Sequence, residues 1–366
     1  MKIIRYALVG SGAIGSVHAQ VISRTPGAKL AGIFTRSFVK GQDIAHKFNC
    51  IYYESYSALL ADDTVDAVVI CTPSGAHAEF AIAAASAGKH VIVEKPLEIS
   101  LEQTDAMIRA CQEHGVQLGC VFQRRYSPGV ITLKNLISEG RLGKIEYAGC
   151  YIKLYRSQEY YDSGAWRGTW ELDGGGVLMN QGIHYVDLLQ YLAGSVAAVS
   201  AQCRTLGHDR IEVEDTAAAV LTFSHGAIGV LEATTNAWPG LVSRIDLYGS
   251  EGTAILENEE LIYVSLKSGE EFRSQPLVSQ SGGSPAVSYE CHAELYRQFT
   301  AALLTGNPVP IDGRESRKGL EIILAVYKSA YLGETITLPL ADSRFLGELA
   351  ERSRQQQGFA TNSHKL

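Results

Sequence analysis

Along the first third of the chain, short apolar runs at 4–9, 29–34, 66–71, 90–94 and 116–122 alternate with amphipathic stretches near 14–24, 38–48, 76–87 and 100–114. The apolar period switches each time from two to 3.6, which predicts strands separated by helices. Runs such as Ala67-Val68-Val69-Ile70-Cys71 are apolar throughout, as suits a strand buried on both faces of a parallel sheet. Helix punctuation agrees: Ser100 and Gln103 have capping-box spacing, and Gly88 and Gly115 sit just past two helix ends. After about residue 122 the pattern changes. Pro128 opens a helix to 139, a long strand covers 144–155, and a helical pattern lies at 176–193. Strand-like runs then follow one another directly at 196–204, 214–223, 227–235, 244–249 and 252–257, which predicts an antiparallel or mixed sheet with helices on one face. Two helices near 288–305 and 314–332 come next, and the polar tail at 351–366 is expected to fray. The expected organisation is an α/β domain over 1–122 and an α+β domain over 123–366.

The 366 residues, 46% hydrophobic and 19% charged, are those of a folding globular chain rather than a disordered one. A net charge of −7, with no run of Lys or Arg longer than two, excludes phosphate-backbone binding as the basis of function, so no nucleic-acid partner is expected. Seven scattered cysteines without a CxxC pair predict reduced thiols and neither a zinc site nor a disulfide framework, and no metal site is expected. The N-terminus has no signal-peptide pattern, and no stretch of apolar residues is long enough to span a bilayer, so a soluble cytoplasmic protein is expected, with no membrane partner.

Gly10-Ser11-Gly12-Ala13-Ile14-Gly15 fits G-x-G-x-x-G and falls where that pattern has meaning, between the first strand and the first helix. Gly10 serves the tight turn, Gly12 lets a pyrophosphate approach the backbone at Ala13 and Ile14, and Gly15 permits close helix packing. NAD or NADP is therefore the expected cofactor. The acidic residue expected at the end of the second strand is replaced by Thr35-Arg36-Ser37. Arg36 either holds a 2′-phosphate, which tilts the choice toward NADP, or faces solvent or stacks on adenine. At the end of the strand at 90–94 stands Glu94-Lys95-Pro96, where ligands of open α/β sheets bind. Lys95 is either a reacting group there or a solvated loop lysine. In the segment at 174–187, helical spacing would put Asn180, His184 and Asp187 on one face, with His184 able to take a proton and Asp187 to support it. A histidine bonded at the edge of a core is the alternative.

These residues resemble the glucose-fructose oxidoreductase/inositol dehydrogenase/MocA-like oxidoreductases. The resemblance rests on GSGAIG, CTPSGAH (71–77), EKP (94–96), FQRRYSP (122–128), WRGTW (166–170) and GGGVLMNQGIHYVD (174–187), in that order. It implies a Rossmann domain followed by an α+β domain with an open, mostly antiparallel sheet, and a homodimer or homotetramer. It also implies that Lys95 and His184 act as an acid–base pair on a substrate carbon. Thr72, Pro73, His77, Glu94, Gln123, Trp166 and Arg167 are implied as cofactor contacts. Where inositol dehydrogenases of the family carry Asp four residues before the histidine, this chain has Asn180, which cannot act as a base and is expected to hold a substrate hydroxyl. The NQGIH form resembles the branch acting on sugar nucleotides. Arg124, Lys153, Tyr155, Tyr161 and Asp162 are further candidates for a hydroxyl-rich substrate, and Arg125 and Arg156 join Arg124 and Lys153 as partners for a diphosphate. The expected activity is an NAD(P)-dependent dehydrogenase acting on a secondary hydroxyl of a sugar, glycoside or sugar nucleotide. An inositol or polyol dehydrogenase, or a non-catalytic dinucleotide sensor, is the alternative.

Overall fold

The computed structural model describes residues 2–274 and 289–363. The chain divides into two compact units, Met1–Gln123 with Val287–Arg317, and Arg124–Ala286 with Lys318–Leu366. The first unit runs β1 (Ile4–Val9), α1 (Ala13–Ile22), β2 (Ala28–Phe34), α2 (Phe38–Phe48), β3 (Ile51–Tyr53), α3 (Tyr56–Leu60), β4 (Ala67–Ile70), α4 (His77–Ser86), β5 (His90–Val93), α5 (Leu101–Glu113) and β6 (Leu118–Cys120). Its six strands are parallel, in the order β3-β2-β1-β4-β5-β6. The winding reverses between β1 and β4, and the carboxyl ends of strands at such a reversal form the ligand crevice of doubly wound sheets. Every residue of β4 is buried, as its unbroken apolar run predicts.

The second unit runs α6 (Pro128–Ser138), β7 (Ile145–Lys153), α7 (Gln158–Asp162), a π-helix at Val177–Gly182, α8 (Ile183–Ala193), β8 (Val196–Arg204), β9 (Thr216–Phe223), β10 (Ile228–Thr234), β11 (Arg244–Gly249), β12 (Gly252–Glu257), β13 (Glu260–Leu266) and β14 (Glu271–Arg273). Then come α9 (Tyr289–Thr305), α10 (Gly313–Leu332), β15 (Ile336–Thr337) and α11 (Phe345–Ser363). The nine-stranded sheet has the order β14-β13-β12-β11-β7-β10-β9-β8-β15, and among the described residues only β10 and β7 pair in parallel. Burial alternates strictly along β9, so one face is packed while the other exposes residues such as Val220 and Ile228. Among the described residues no helix is long and apolar enough to cross a membrane.

Two expectations are amended. A single cut after residue 122 assigns 289–305 to the second domain, yet α9 belongs to the first unit. Its apolar stripe, Leu295, Tyr296 and Phe299, is fully buried there, a Cβ at Gly119 would stand 2.8 Å from the Phe299 ring, and the Tyr6 hydroxyl bonds Thr300 Oγ1 at 2.8 Å. A frayed tail is expected from 351, but α11 carries the backbone in a helix to Ser363, with Phe345 buried at its start and Trp170 Nε1 donating to Ser353 Oγ at 3.3 Å.

Candidate active site

The first unit builds an anion cradle from backbone. Gly10 has φ +110°, and a Cβ on it would lie 2.7 Å from the Cys71 carbonyl oxygen; one on Gly15 would lie 2.5 Å from the Gly10 oxygen. Gly12 caps α1 with no side-chain bond to its first turn, no acidic residue stands in that turn, and the space around Gly12 is open. The uncapped N–H groups at Ala13 and Ile14 are what a pyrophosphate takes up. Thr72 Oγ1 and Gln123 Oε1, at the ends of β4 and β6, are buried polar atoms without a hydrogen-bond partner. The residues present thus fit a dinucleotide. Thr35 Oγ1 meets Ser11 Oγ at 2.8 Å, so its hydroxyl braces the turn, while Ser37 N-caps α2 and Arg36 is exposed. Pro73 precedes a 3-10 turn that leads into α4. His77 is buried with Nε2 3.0 Å from the Thr72 carbonyl and Nδ1 3.0 Å from that of Pro96; burial holds its pKa below the ordinary imidazole value. It is placed as a tie between two loops of the crevice.

Lys95 follows β5 and is half-buried. Its backbone N–H donates to Glu94 Oε2 at 3.0 Å, and Glu94 Oε1 lies 2.8 Å from His18 Nε2. Burial alone would raise the Glu94 pKa, but the bond and charge of His18 outweigh it and hold the carboxyl at about 2. Burial would likewise lower His18, yet Cys71 and Glu94 push it up to about 10. Each partner thus favours the charged form of the other, and the Tyr296 hydroxyl meets His18 Nδ1 at 2.8 Å. Where no metal centre is expected, the fold does bring His18, Glu94 and His292 together, with ligand atoms within 4.8 Å of one another.

The second unit holds Asn180 and His184 by different means. The segment expected as one α-helix begins as a π-helix at Val177–Gly182 and becomes α8 at Ile183, so the even 3.6-residue phase from Asn180 to Asp187 is broken. Glu214 anchors the start: its Oε2 accepts from the Gly176 N–H at 2.8 Å, its Oε1 from the Leu178 N–H at 3.0 Å and from the Tyr327 hydroxyl at 2.9 Å. Gly176 is required because a Cβ there would collide with the Glu214 backbone carbonyl. Asn180 Nδ2 donates to Asp173 Oδ1 at 2.6 Å, and Asp173 Oδ2 accepts the Gly168 N–H at 2.9 Å. That bond orients the amide with its oxygen turned from the carboxylate, as an acceptor. His184 is buried, with 6% exposure.

Asp187, expected to support His184, is gripped by Arg125, whose Nε and Nη2 donate to the two carboxylate oxygens at 2.7 and 2.5 Å. Both side chains are almost wholly buried, and a guanidinium in that setting requires a carboxylate partner. Arg125 is therefore a structural residue and not a diphosphate ligand. Arg124 is paired with Glu259 and lies over the Tyr185 ring at 4.7 Å. Tyr161 is buried against His208, its hydroxyl 3.3 Å from Thr235 Oγ1, a packing position. Asp162 is exposed and paired with Arg210 at 2.7 Å. Lys153 lies half-buried with its ammonium 5.4 Å from the Tyr151 ring centre, Tyr155 packs edge-on against Trp238, and Arg156 donates to the Tyr155 carbonyl at 2.9 Å. Trp166 and Arg167 form one cluster, the Arg167 guanidinium 4.5 Å from the indole centre and donating to the Tyr160 hydroxyl at 2.6 Å; Gln181 Nε2 reaches the same oxygen at 3.2 Å. Sequence reasoning misses Asp173, Glu214, Tyr327 and His18. Only His18, eight residues after Gly10, and Asp173, next to the glycine run, stand near a motif that could have drawn attention to them.

A six-stranded doubly wound sheet with a glycine cradle after its first strand defines a dinucleotide-binding fold. Comparison with known proteins agrees: the model of the oxidoreductase family with an NAD-binding Rossmann fold matches residues 4–122, and that of the GFO/IDH/MocA C-terminal domain matches residues 130–255. The chain belongs to the Gfo/Idh/MocA family of oxidoreductases. It is similar to the WlbA dehydrogenase of Bordetella pertussis, solved with NADH and UDP-GlcNAcA, with 35% identity, a TM-score of 0.82 and coverage of 93% of this chain and 100% of that one. It is 26% identical to inositol 2-dehydrogenase of Rhizobium meliloti over 89% of this chain and 96% of that protein. With myo-inositol 2-dehydrogenase of Thermotoga maritima the identity is 28%, again over 89% and 96%. The protein is thus an oxidoreductase of an NAD-dependent family whose members act on sugars, polyols and sugar nucleotides.

Proposed function

We propose that this enzyme oxidises a secondary hydroxyl of a sugar carried on a nucleoside diphosphate, with Lys95 and His184 as its acid–base pair. The observation that carries the reading is Asn180 in place of a carboxylate, oriented by Asp173 as a hydrogen-bond acceptor. It is supported by greater identity to the dehydrogenase solved with UDP-GlcNAcA than to the inositol dehydrogenases. NAD, held at Gly10–Gly15, supplies the hydride acceptor when bound. His184 takes the hydroxyl proton, Lys95 stabilises the developing oxyanion, and Asn180 Oδ1 holds a neighbouring hydroxyl. Arg124 and Arg125 are engaged by Glu259 and Asp187, and Lys153 and Arg156 are the cations assigned to the diphosphate. Arg36, exposed beside Thr35 and Ser37 with no carboxylate in that turn, keeps NADP as a second cofactor. The enzyme acts in the cytoplasm as a homodimer or homotetramer.

The test is turnover of purified protein with NAD and with NADP against UDP-GlcNAcA, other UDP-sugars, levoglucosan and inositols, followed by nicotinamide absorbance, with calorimetry for each dinucleotide. Turnover confined to UDP-sugars, with KM raised by joint charge reversal of Lys153 and Arg156, is the expected result. Preference for a free polyol defeats the nucleotide-sugar reading, and tight dinucleotide binding without turnover on any substrate favours a sensor.

A further inference from the structure

We propose that His18 positions Lys95, acting through Glu94, and so ties the pyrophosphate helix to the reacting loop; the inference rests on the role given to Lys95 above. His18 lies six residues beyond Gly12, less than two turns into α1. Its Nε2 is 2.8 Å from Glu94 Oε1, and Glu94 Oε2 accepts the Lys95 N–H at 3.0 Å. One carboxylate therefore bridges the helix that faces the phosphates and the backbone of the reacting lysine. The imidazole is fully buried, so no water can take the place of either partner. From α9 the Tyr296 hydroxyl fixes the other ring nitrogen at 2.8 Å, and the His292 ring packs edge-on at 5.6 Å. A buried carboxylate keeps its acceptors paired or moves until they are. The Glu94 rotamer, and with it the backbone at Lys95, is set by His18. An apolar residue at 18 would suffice for packing α1; a histidine bonded through both nitrogens also defines a direction.

The test compares full-length wild type with His18→Asn, whose amide keeps a partner for Tyr296 but falls short of Glu94, and His18→Gln, whose amide reaches Glu94. His18→Asn is expected to lower kcat about 10- to 100-fold while NAD affinity by calorimetry holds, and His18→Gln to recover most of the loss. In a Lys95→Met background, His18→Asn is expected to add nothing. Independently of turnover, the Lys95 amide proton in the nuclear magnetic resonance spectrum, deshielded by its carboxylate acceptor, shifts upfield in His18→Asn and stays in place in His18→Gln. A full further loss on top of Lys95→Met, or an unmoved Lys95 resonance, overturns the proposal. So does a stoichiometric divalent metal in the wild type that His18→Asn loses, since His18, Glu94 and His292 would then be ligands. If Lys95→Met keeps wild-type turnover, the acid–base reading fails, and the Lys95 resonance still decides whether His18 sets that backbone. Should His18→Asn not fold, the isosteric Glu94→Gln carries the same measurements.

Discussion

Between Gly10 and Gly15 the first unit makes its cradle from backbone, with glycines forced by the close approach of the Cys71 and Gly10 carbonyls. The second unit holds the segment of Asn180 and His184 through side chains: the adjoining Asp173 on the amide and, from farther along the chain, Glu214 on the Gly176 and Leu178 N–H groups and Arg125 on Asp187. A backbone cradle tolerates change in most surrounding side chains, whereas a buttressed segment depends on buried charges that must stay paired. Damage is therefore expected to differ in kind, reaching chemistry alone at Lys95 of the first unit and chemistry together with stability at the buried charges of the second.

The largest effect belongs to Lys95→Ala, which should lower turnover by about 10² to 10⁴ while calorimetric NAD affinity and melting temperature are retained. Near-wild-type turnover would remove Lys95 from the mechanism. Arg125→Met takes the guanidinium from the buried Asp187 carboxylate and should cost about 3 to 5 kcal/mol in denaturant unfolding; a loss well below that range would mean that the ion pair does not anchor the segment. Asp173→Asn can accept from Gly168 or from Asn180 but not from both, and should reduce kcat/KM about tenfold with a small change in melting temperature. If it leaves the kinetics untouched, the amide of Asn180 is held by something else. The smallest effect is a pH dependence at Glu214. Burial raises its pKa to about 7, against the opposing bonds from the Leu178 and Gly176 N–H groups. Its folded pKa lies above its unfolded one, so its contribution to stability is present at low pH and is lost as pH rises through about 7. Wild-type melting temperature should thus fall between about pH 5 and 8 relative to Glu214→Gln, and parallel curves would contradict the shift.

The same contrast governs how much the sequence disclosed. The parallel strands and the cradle were legible because both depend on local spacing: apolar runs in β1, β4 and β5, and glycines at fixed offsets from a strand end. Strands β8, β11 and β12 also fall where the alternation places them. The short β3 carries too few residues for a period to show, and β13 lies outside the expected strands although Leu261-Ile262-Tyr263-Val264 has strand composition. The π-helix escaped because no sequence period distinguishes it from the α-helix that continues it. Asp173, Glu214 and Arg125 were not legible as site residues, since a carboxylate acquires its meaning only from the N–H groups or guanidinium that folding brings to it. Asp187 makes the same point: its helical spacing points to His184, and nothing in that spacing discloses the buried Arg125 guanidinium that its carboxylate holds.

The return of α9 to the first unit bears on the order in which that unit is completed during synthesis. The ribosome delivers all six parallel strands within the first 120 residues, but Tyr296, which bonds His18, and Phe299, which covers Gly119, lie more than 170 residues later. Until they emerge, the apolar side of α1 and the His18–Glu94 pair lack their cover, and the intervening second unit is made while the first waits. Gene fragments ending near residue 123 are accordingly the wrong way to isolate the dinucleotide-binding unit. A fragment that joins 1–123 to 289–317 includes the missing wall.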